Sequence, residues 1–181
     1  YLVAGAIGRG EIRLTGLDPQ SAQGDRAVVE ILRDMGADIR WEGDALVSRA
    51  SRLHGLRVDC AQIPDLVPIL AVAMAAAEGE SRITGAARLR IKESDRLSAM
   101  AAALTAAGAD AAELPDGLAI RGGKPLHAAQ IEGCNDHRIV MAMAIASALS
   151  DGEWTITDAE ATAKPAPAFW QEFERLGGRT R

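Results

Sequence analysis

A seven-residue pattern that occurs three times constrains this chain more than any other feature. The copies are Gly10–Gly16, Gly79–Gly85 and Gly152–Asp158, and they begin 69 and 73 residues apart. Each copy alternates apolar and polar residues after a glycine, which is typical of a half-buried strand. The match continues downstream, since Asp25–Arg26 recurs as Asp95–Arg96 after 70 residues. We therefore expect three copies of one structural unit.

An amphipathic helix is predicted after each of these strands. The first runs about Asp25–Met35, and the second runs about Asp95–Ala107 with Ser94 as its N-cap. In the third copy, Lys164 and Pro165 open the helix, because proline suits a first turn. Since each helix has a single apolar stripe, each is expected to pack one face against a core.

Short hairpins are predicted behind the first two amphipathic helices. Asp38–Trp41 pairs with Ala45–Val47 in one hairpin, and Ala111–Leu114 pairs with Leu118–Ile120 in the other. The residues between the strands of each pair include glycine and aspartate, which favour tight turns. Each of the first two units therefore ends in an antiparallel pair.

A second kind of helix is apolar on nearly every side. Asp65–Ala77 and Asp136–Leu149 are the two whole examples, and Tyr1–Ile7 has the composition of the end of a third. A helix without a polar face must be buried on all sides. We therefore expect these helices inside the domain, with the sheets and the amphipathic helices around them.

These elements predict an α/β fold, a single domain over residues 1–181 with three β-α-β-β-α units around buried helices. The units divide at about 1–64, 65–135 and 136–181. The first apolar helix lacks its beginning, and the sequence opens on Tyr1 rather than on methionine. We therefore expect the chain to be a piece of a longer protein.

Charge and composition argue against several classes of function. The chain has 20 basic and 25 acidic residues, whereas nucleic-acid-binding domains are usually basic. Aromatic residues make up only 3% of the chain, too few for base stacking. The apolar runs are too short to cross a bilayer, and Cys60 and Cys134 fit no metal or redox spacing. We expect a cytoplasmic protein without nucleic-acid, membrane or metal partners.

Charged residues gather at the predicted starts of the helices. A helix N-terminus carries unpaired amide donors and a partial positive charge, so basic side chains are disfavoured there unless an anion offsets them. Three of these starts nevertheless carry basic residues, and the repetition brings equivalent helix ends to one face. The reactive residues at these starts are Asp65, Lys92, Glu93, Arg96, His137, Arg138 and Lys164.

Each of these residues also has a simpler structural interpretation. Asp65 alone suits an N-cap, and His137 could help to cap its own helix. The other charged residues could be solvated side chains, and Arg88 and Arg90 fit an anion site or a solvated surface equally well. The set as a whole, rather than any one member, favours an anion-binding site.

Four strings in the chain resemble the 5-enolpyruvylshikimate-3-phosphate synthase family. They are Arg90–Leu97, Asn135–Arg138, Ala161–Lys164, and Ile63–Asp65 followed by an apolar helix, and the resemblance extends over all 181 residues. Members have two similar domains, each an inside-out α/β barrel of three repeated units around buried helices, with the active site in the cleft between them. The resemblance implies that this chain is the domain that holds the C-terminal part of such an enzyme.

The resemblance implies an activity and residues that carry it. The family transfers the enolpyruvyl group of phosphoenolpyruvate to the 5-hydroxyl of shikimate 3-phosphate and releases phosphate. It implies that Asp65 accepts the proton of that hydroxyl and holds the shikimate ring, and that Glu93 exchanges a proton at the enol carbon. It also implies that Lys92 contacts the shikimate phosphate and the reacting centre.

The same resemblance implies a second group of residues, which bind phosphoenolpyruvate. Arg96, Arg138 and Lys164 would hold this substrate, with His137 nearby. Arg88 departs from the pattern, because some members carry an asparagine there that contacts the shikimate phosphate. The resemblance implies no cofactor, and it implies a complementary domain that supplies the rest of the site.

Three alternatives stay open at this point. The first is the sister enolpyruvyl transferase that acts on UDP-N-acetylglucosamine, against which the strings around Lys92 and His137 argue. The second is a non-catalytic module of the same repeat fold that binds anions or nucleic acid. The third is a piece that serves only folding or assembly.

Overall fold

Helices and short strands alternate along the chain in the computed structural model, which describes residues 1–181. The helices are α1 (Leu2–Ile7), α2 (Ala27–Asp34), α3 (Val67–Ala76), α4 (Arg96–Ala106), α5 (His137–Ala146) and α6 (Phe169–Arg175). The strands are β1 (Glu11–Leu14), β2 (Asp38–Glu42), β3 (Ala45–Arg49), β4 (Arg57–Asp59), β5 (Gly79–Thr84), β6 (Asp110–Leu114), β7 (Gly117–Gly122), β8 (Gln130–Ile131) and β9 (Thr155–Ile156). This order confirms the predicted α/β class.

The strands form three separate sheets. The first is antiparallel with the order β1-β3-β2, the second has the order β4-β5-β7-β6, and the third contains only β8 and β9. Both predicted hairpins are present as β2-β3 and β6-β7, extended by one or two residues at their ends. The third repeat strand is much shorter than predicted, since only Thr155 and Ile156 are paired.

Strands β4 and β8 were not predicted from the sequence. Each lies before a buried helix and pairs in parallel with the strand after it, with Arg57 opposite Arg82 and Gln130 opposite Thr155. They are three and two residues long, too short for an alternating pattern to be recognised. The structure therefore has one strand more in such a unit than the predicted β-α-β-β-α order contains. Strand β4 lies before the predicted division after residue 64 but pairs with β5 behind it. Strand β8 lies before the predicted division after residue 135 but pairs with β9 behind it.

The three apolar helices lie at the centre of the domain, as predicted. Helices α1, α3 and α5 contact one another, while α1 also packs on β3 and α3 on β7. In α3, Ile69 and Ala76 are the only residues that are not fully buried. These helices belong to one hydrophobic core of 40 buried residues, and each buried leucine contributes about 1.5–3 kcal/mol. None of the helices combines the length and hydropathy needed to span a membrane.

Two predicted helix starts were wrong. Helix α4 is capped by Asp95 rather than Ser94, because the Asp95 carboxylate accepts a hydrogen bond of 3.1 Å from the Ser98 amide. The last helix begins at Phe169, so Lys164 does not stand at a helix N-terminus. The prolines at 165 and 167 disfavour helical backbone in the residues before them, which delays the start of α6.

Candidate functional site

Arg96 is the centre of an ion-pair cluster at the starts of three helices. It is the first residue of α4, and its side chain is 1% exposed. Its Nε donates to Asp136 Oδ2 at 2.7 Å, its Nη1 to Asp65 Oδ1 at 3.0 Å and its Nη2 to Glu93 Oε2 at 2.6 Å. A guanidinium stays charged even when it is buried, so the three carboxylates offset its desolvation.

Asp65 faces three cations and does not cap a helix. It lies in the 3₁₀ turn Pro64–Leu66 before α3, where its side chain makes no capping hydrogen bond. Besides Arg96, its carboxylate meets Lys92 Nζ at 3.7 Å and Arg138 Nη2 at 3.2 Å. The simpler interpretation of Asp65 as an N-cap is therefore wrong. Its side chain is one third exposed, so a substrate can reach it.

Arg138 and His137 occupy the first turn of α5. The Arg138 guanidinium also donates to the backbone carbonyl of Asp65 at 3.0 Å, and about one third of its side chain is exposed. His137 Nδ1 lies 3.9 Å from Asp136 Oδ1. Because Arg138 is directed toward Asp65 and is still accessible, it can receive an anion at the same place.

Lys92 and Glu93 lie in the loop that leads into α4. Both residues are exposed, and Glu93 is attached to the cluster only through Arg96. Lys164 is exposed and forms no ion pair, in a turn after the 3₁₀ turn Ala159–Thr162 that packs against α5. Ion pairs therefore connect five of the predicted site residues, namely Asp65, Lys92, Glu93, Arg96 and Arg138. His137 lies beside Asp136, and Lys164 has no ion pair with any of them.

Sequence reasoning missed Asp136 and Ser94 as members of this cluster. Asp136 is fully buried, and it accepts hydrogen bonds from Arg96, from the Arg138 amide at 2.9 Å and from Ser94 Oγ at 2.9 Å. Burial alone would raise the pKa of Asp136, but these hydrogen bonds hold it below its ordinary value. The one sequence feature that pointed to Asp136 was its position at a predicted helix start. That position indicates an N-cap and does not indicate an ion pair with a distant arginine.

Arg88 and Arg90 have separate positions. Arg90 forms ion pairs with Asp95 at 3.0 Å and Glu113 at 2.6 Å, and it donates to the Leu114 carbonyl, so it joins α4 to the β6-β7 hairpin. Arg88 is exposed and forms no ion pair. Arg90 is therefore a structural residue rather than a solvated surface charge. A role of Arg88 at an anion site stays a prediction.

The cluster places carboxylates and cationic side chains in contact with one another. The carboxylates of Asp65 and Glu93 lie on the more open side of Arg96, where a carboxylate or phosphate of a substrate would compete with them for the same N–H groups. No group of three or more histidine, cysteine and carboxylate side chains is arranged to hold a metal ion. The arrangement suits the binding of an anion next to a carboxylate base.

Most of this chain is similar to one known protein family. The family model for EPSP synthase (3-phosphoshikimate 1-carboxyvinyltransferase) matches residues 1–173. The 3-phosphoshikimate 1-carboxyvinyltransferase of Clostridium novyi is 45% identical over 178 residues, which are 98% of this chain and 41% of that protein. The chain thus spans about two fifths of the length of this relative.

Solved structures agree with the fold. EPSP synthase from Acinetobacter baumannii superposes with a TM-score of 0.81 at 34% identity, over 99% of this chain and 44% of that one. The enolpyruvyl transferase NikO from Streptomyces tendae gives a TM-score of 0.81 at 21% identity, over 99% of this chain and 42% of that one. At that identity the second likeness concerns the fold alone.

The buried helices and the sheets around them define an α/β domain of the class seen in EPSP synthase from Acinetobacter baumannii. The family model that matches residues 1–173 is more specific than the shared fold. The chain belongs to the EPSP synthase family.

Proposed function

We propose that residues 1–181 form one domain of an enzyme that transfers the enolpyruvyl group of phosphoenolpyruvate to the 5-hydroxyl of shikimate 3-phosphate and releases phosphate. The observation that carries this proposal is the position of Asp65, whose carboxylate lies within 4 Å of Lys92, Arg96 and Arg138. A base at this point can take a proton from a hydroxyl whose neighbouring anions are held by the same cations.

Anion binding is the first task of this site. Each substrate carries a phosphate and a carboxylate, and two like charges at about 4 Å repel by about 4 kcal/mol at an effective dielectric of 20. Arg96 and Arg138 can hold phosphoenolpyruvate by two-point hydrogen bonds, while Lys92 and Lys164 contribute point charges. Binding requires the substrate to displace carboxylates from the arginines, and Glu93 is the more exposed of these competitors.

Proton transfer is the second task. In the addition step, the 5-hydroxyl oxygen bonds to the substituted enol carbon, its proton passes to a base, and the methylene carbon gains a proton to become a methyl group. In the elimination step, the methyl group loses a proton, the double bond forms again and phosphate leaves. We assign Asp65 to the hydroxyl and Glu93 to the carbon, with Lys92 next to the reacting centre and His137 beside them.

The complementary domain of the same enzyme is the proposed partner of this chain. It would supply the opposite wall of the cleft and most contacts to the shikimate ring, and closure would exclude water from the reacting atoms. The chain alone is therefore expected to bind each substrate weakly and to catalyse nothing. We propose a cytoplasmic location, consistent with two cysteines that form no disulfide.

Phosphate release by the whole enzyme that contains this chain tests the proposal. We expect steady-state release that requires both phosphoenolpyruvate and shikimate 3-phosphate, and no release when UDP-N-acetylglucosamine replaces the second substrate. Phosphate release from phosphoenolpyruvate and the UDP-sugar, without release from phosphoenolpyruvate and shikimate 3-phosphate, would contradict the proposed substrate. Steady release by the isolated 181-residue chain would contradict the division of the site between two domains.

A further inference from the structure

Arg96 and Asp136 are the only charged residues that the structure buries. They meet in a two-point ion pair, in which Nε lies 2.7 Å from Oδ2 and Nη2 lies 3.2 Å from Oδ1. The pair joins the starts of α4 and α5, which are 40 residues apart in the chain. Two buried charges are costly to desolvate, so their retention at this place calls for a reason other than stability.

Capping of α5 does not explain the burial of Asp136. Asp95 performs the same task at the start of α4, where it accepts from the Ser98 amide and pairs with Arg90. The Asp95 side chain is 38% exposed, whereas that of Asp136 is 0% exposed. A cap and an ion pair can thus be made at a partly solvated helix start, and the burial of Asp136 serves its contact with Arg96.

The turn that carries Asp136 is held in a strained conformation. Cys134, Asn135 and Asp158 are the only residues other than glycine with positive φ, at 54°, 48° and 56°. The Asp158 carboxylate accepts the Asn135 amide at 3.0 Å, and the hydroxyl of Thr157 accepts the Gly133 amide at 3.0 Å. Such backbone persists only where its surroundings over-determine it, so the place of Asp136 is fixed by the turn as well as by its helix.

The two edges of the Arg96 guanidinium have different surroundings. Its Nε–Nη2 edge is closed by Asp136, which also accepts the Ser94 hydroxyl. Its other N–H groups face Asp65 and Glu93, whose side chains are one third and one half exposed. An incoming anion reaches the second edge by displacing these two carboxylates, because the Arg96 side chain itself is 1% exposed.

We infer that Asp136 is a positioning residue for the proposed reaction, which fixes the inner edge of Arg96 so that the outer edge meets the carboxylate or phosphate of phosphoenolpyruvate. The inference rests on the proposed function. An arginine held at one edge loses less rotational freedom when an anion binds its other edge, and its fork is already aimed. Ser94 assists by occupying a remaining acceptor position of the carboxylate.

The test is Asp136→Asn in the whole enzyme, with KM for each substrate and kcat measured separately. The amide oxygen can still cap α5, but the charge that orients Arg96 is lost. We expect KM for phosphoenolpyruvate to rise about tenfold or more. KM for shikimate 3-phosphate should stay within about twofold, because Arg96 is not assigned to that substrate.

Asp95→Asn is the matched control, since it makes the same change at a helix cap that pairs with a different arginine. It should lower thermal stability and leave KM for phosphoenolpyruvate within about twofold. If Asp136→Asn only lowers stability, or changes both KM values alike, Asp136 is structural and the inference is overturned. Equal effects of the two variants on KM for phosphoenolpyruvate also overturn it.

Ser94→Ala keeps the inference testable if Asp136→Asn does not fold. It removes one hydrogen bond to Asp136 without removing a charge, so KM for phosphoenolpyruvate should rise about threefold in a folded protein. An unchanged KM in this variant contradicts the inference. If the unaltered enzyme releases no phosphate from its two substrates, the proposed function itself fails, and that outcome is distinct from any effect of the variants.

Discussion

Arg138 contacts Asp65 in two ways, through the backbone carbonyl at 3.0 Å and through the carboxylate at 3.2 Å. The two residues are 73 positions apart, and each lies at the start of a buried helix. Equivalent ends of repeated units therefore meet at one face of the domain. The proposed base and a proposed anion ligand hold each other in place there.

Asp65→Asn is expected to lower kcat of the whole enzyme by about 100-fold or more, because the proton acceptor is lost. The amide no longer competes for Arg96 and Arg138, so KM for phosphoenolpyruvate should not rise. Steady-state kinetics on the variant measure both quantities. Unchanged turnover would show that Asp65 serves only to pair the cations.

Arg138→Lys is expected to raise KM for phosphoenolpyruvate about tenfold or more, because lysine cannot form two parallel hydrogen bonds. Arg96→Lys should act in the same direction and should also lower stability, since Arg96 is buried against Asp136. Arg90→Lys is the control, because Arg90 pairs with Asp95 and Glu113 outside the cluster. Normal phosphoenolpyruvate binding by Arg138→Lys would make Arg138 a structural residue.

Leu70→Ala should reduce the free energy of unfolding by about 2–5 kcal/mol. Leu70 lies in the middle of α3 and is 0% exposed, so its truncation leaves a cavity among the buried helices. Leu17→Ala is the matched control at a residue that is 46% exposed, and its effect should stay within about 0.5 kcal/mol. Denaturant unfolding of the purified chain gives both values, and similar losses would contradict the buried position of α3.

Gly85→Ala should destabilise the chain by about 1–3 kcal/mol. Gly85 has φ of +72°, and an added Cβ would lie 2.2 Å from Asp59 Oδ1. Gly10 lies directly before β1, the equivalent strand of the first repeat, and a Cβ there meets nothing within 4 Å. Gly10→Ala should therefore have little effect in the same unfolding measurement, and a reversed order would argue against this turn geometry.

Acid should remove the stability that Asp136 contributes. Its folded-state pKa is below its ordinary value of 3.8, so the contribution is complete above that value and is lost as pH falls through the folded pKa. The difference in unfolding free energy between the unaltered chain and Asp136→Asn should be about 3 kcal/mol near neutral pH. It should shrink below pH 3.8, and a difference that is constant over pH would refute this role of the charge.

Much of the fold could be predicted because its signals are local. The buried helix α3 follows from a run without polar residues, and the β2-β3 and β6-β7 hairpins follow from alternation around turn residues. The repeat predicted that such elements recur in register. Strands β4 and β8 were not predicted because two or three residues are too few to show an alternating pattern. Each of these strands also forms only by pairing with a strand that lies beyond the next helix in the chain.

The sequence by itself determined the α/β class, the repeat, the buried helices and the residue types at their starts. Only the tertiary structure decided which of those residues meet. Arg96 reaches Asp65 and Asp136 over 31 and 40 residues, and such distances depend on how whole helices pack rather than on any local pattern. The same packing buries Asp136, which local preference identifies only as a cap, and it leaves Lys164 exposed without an ion pair.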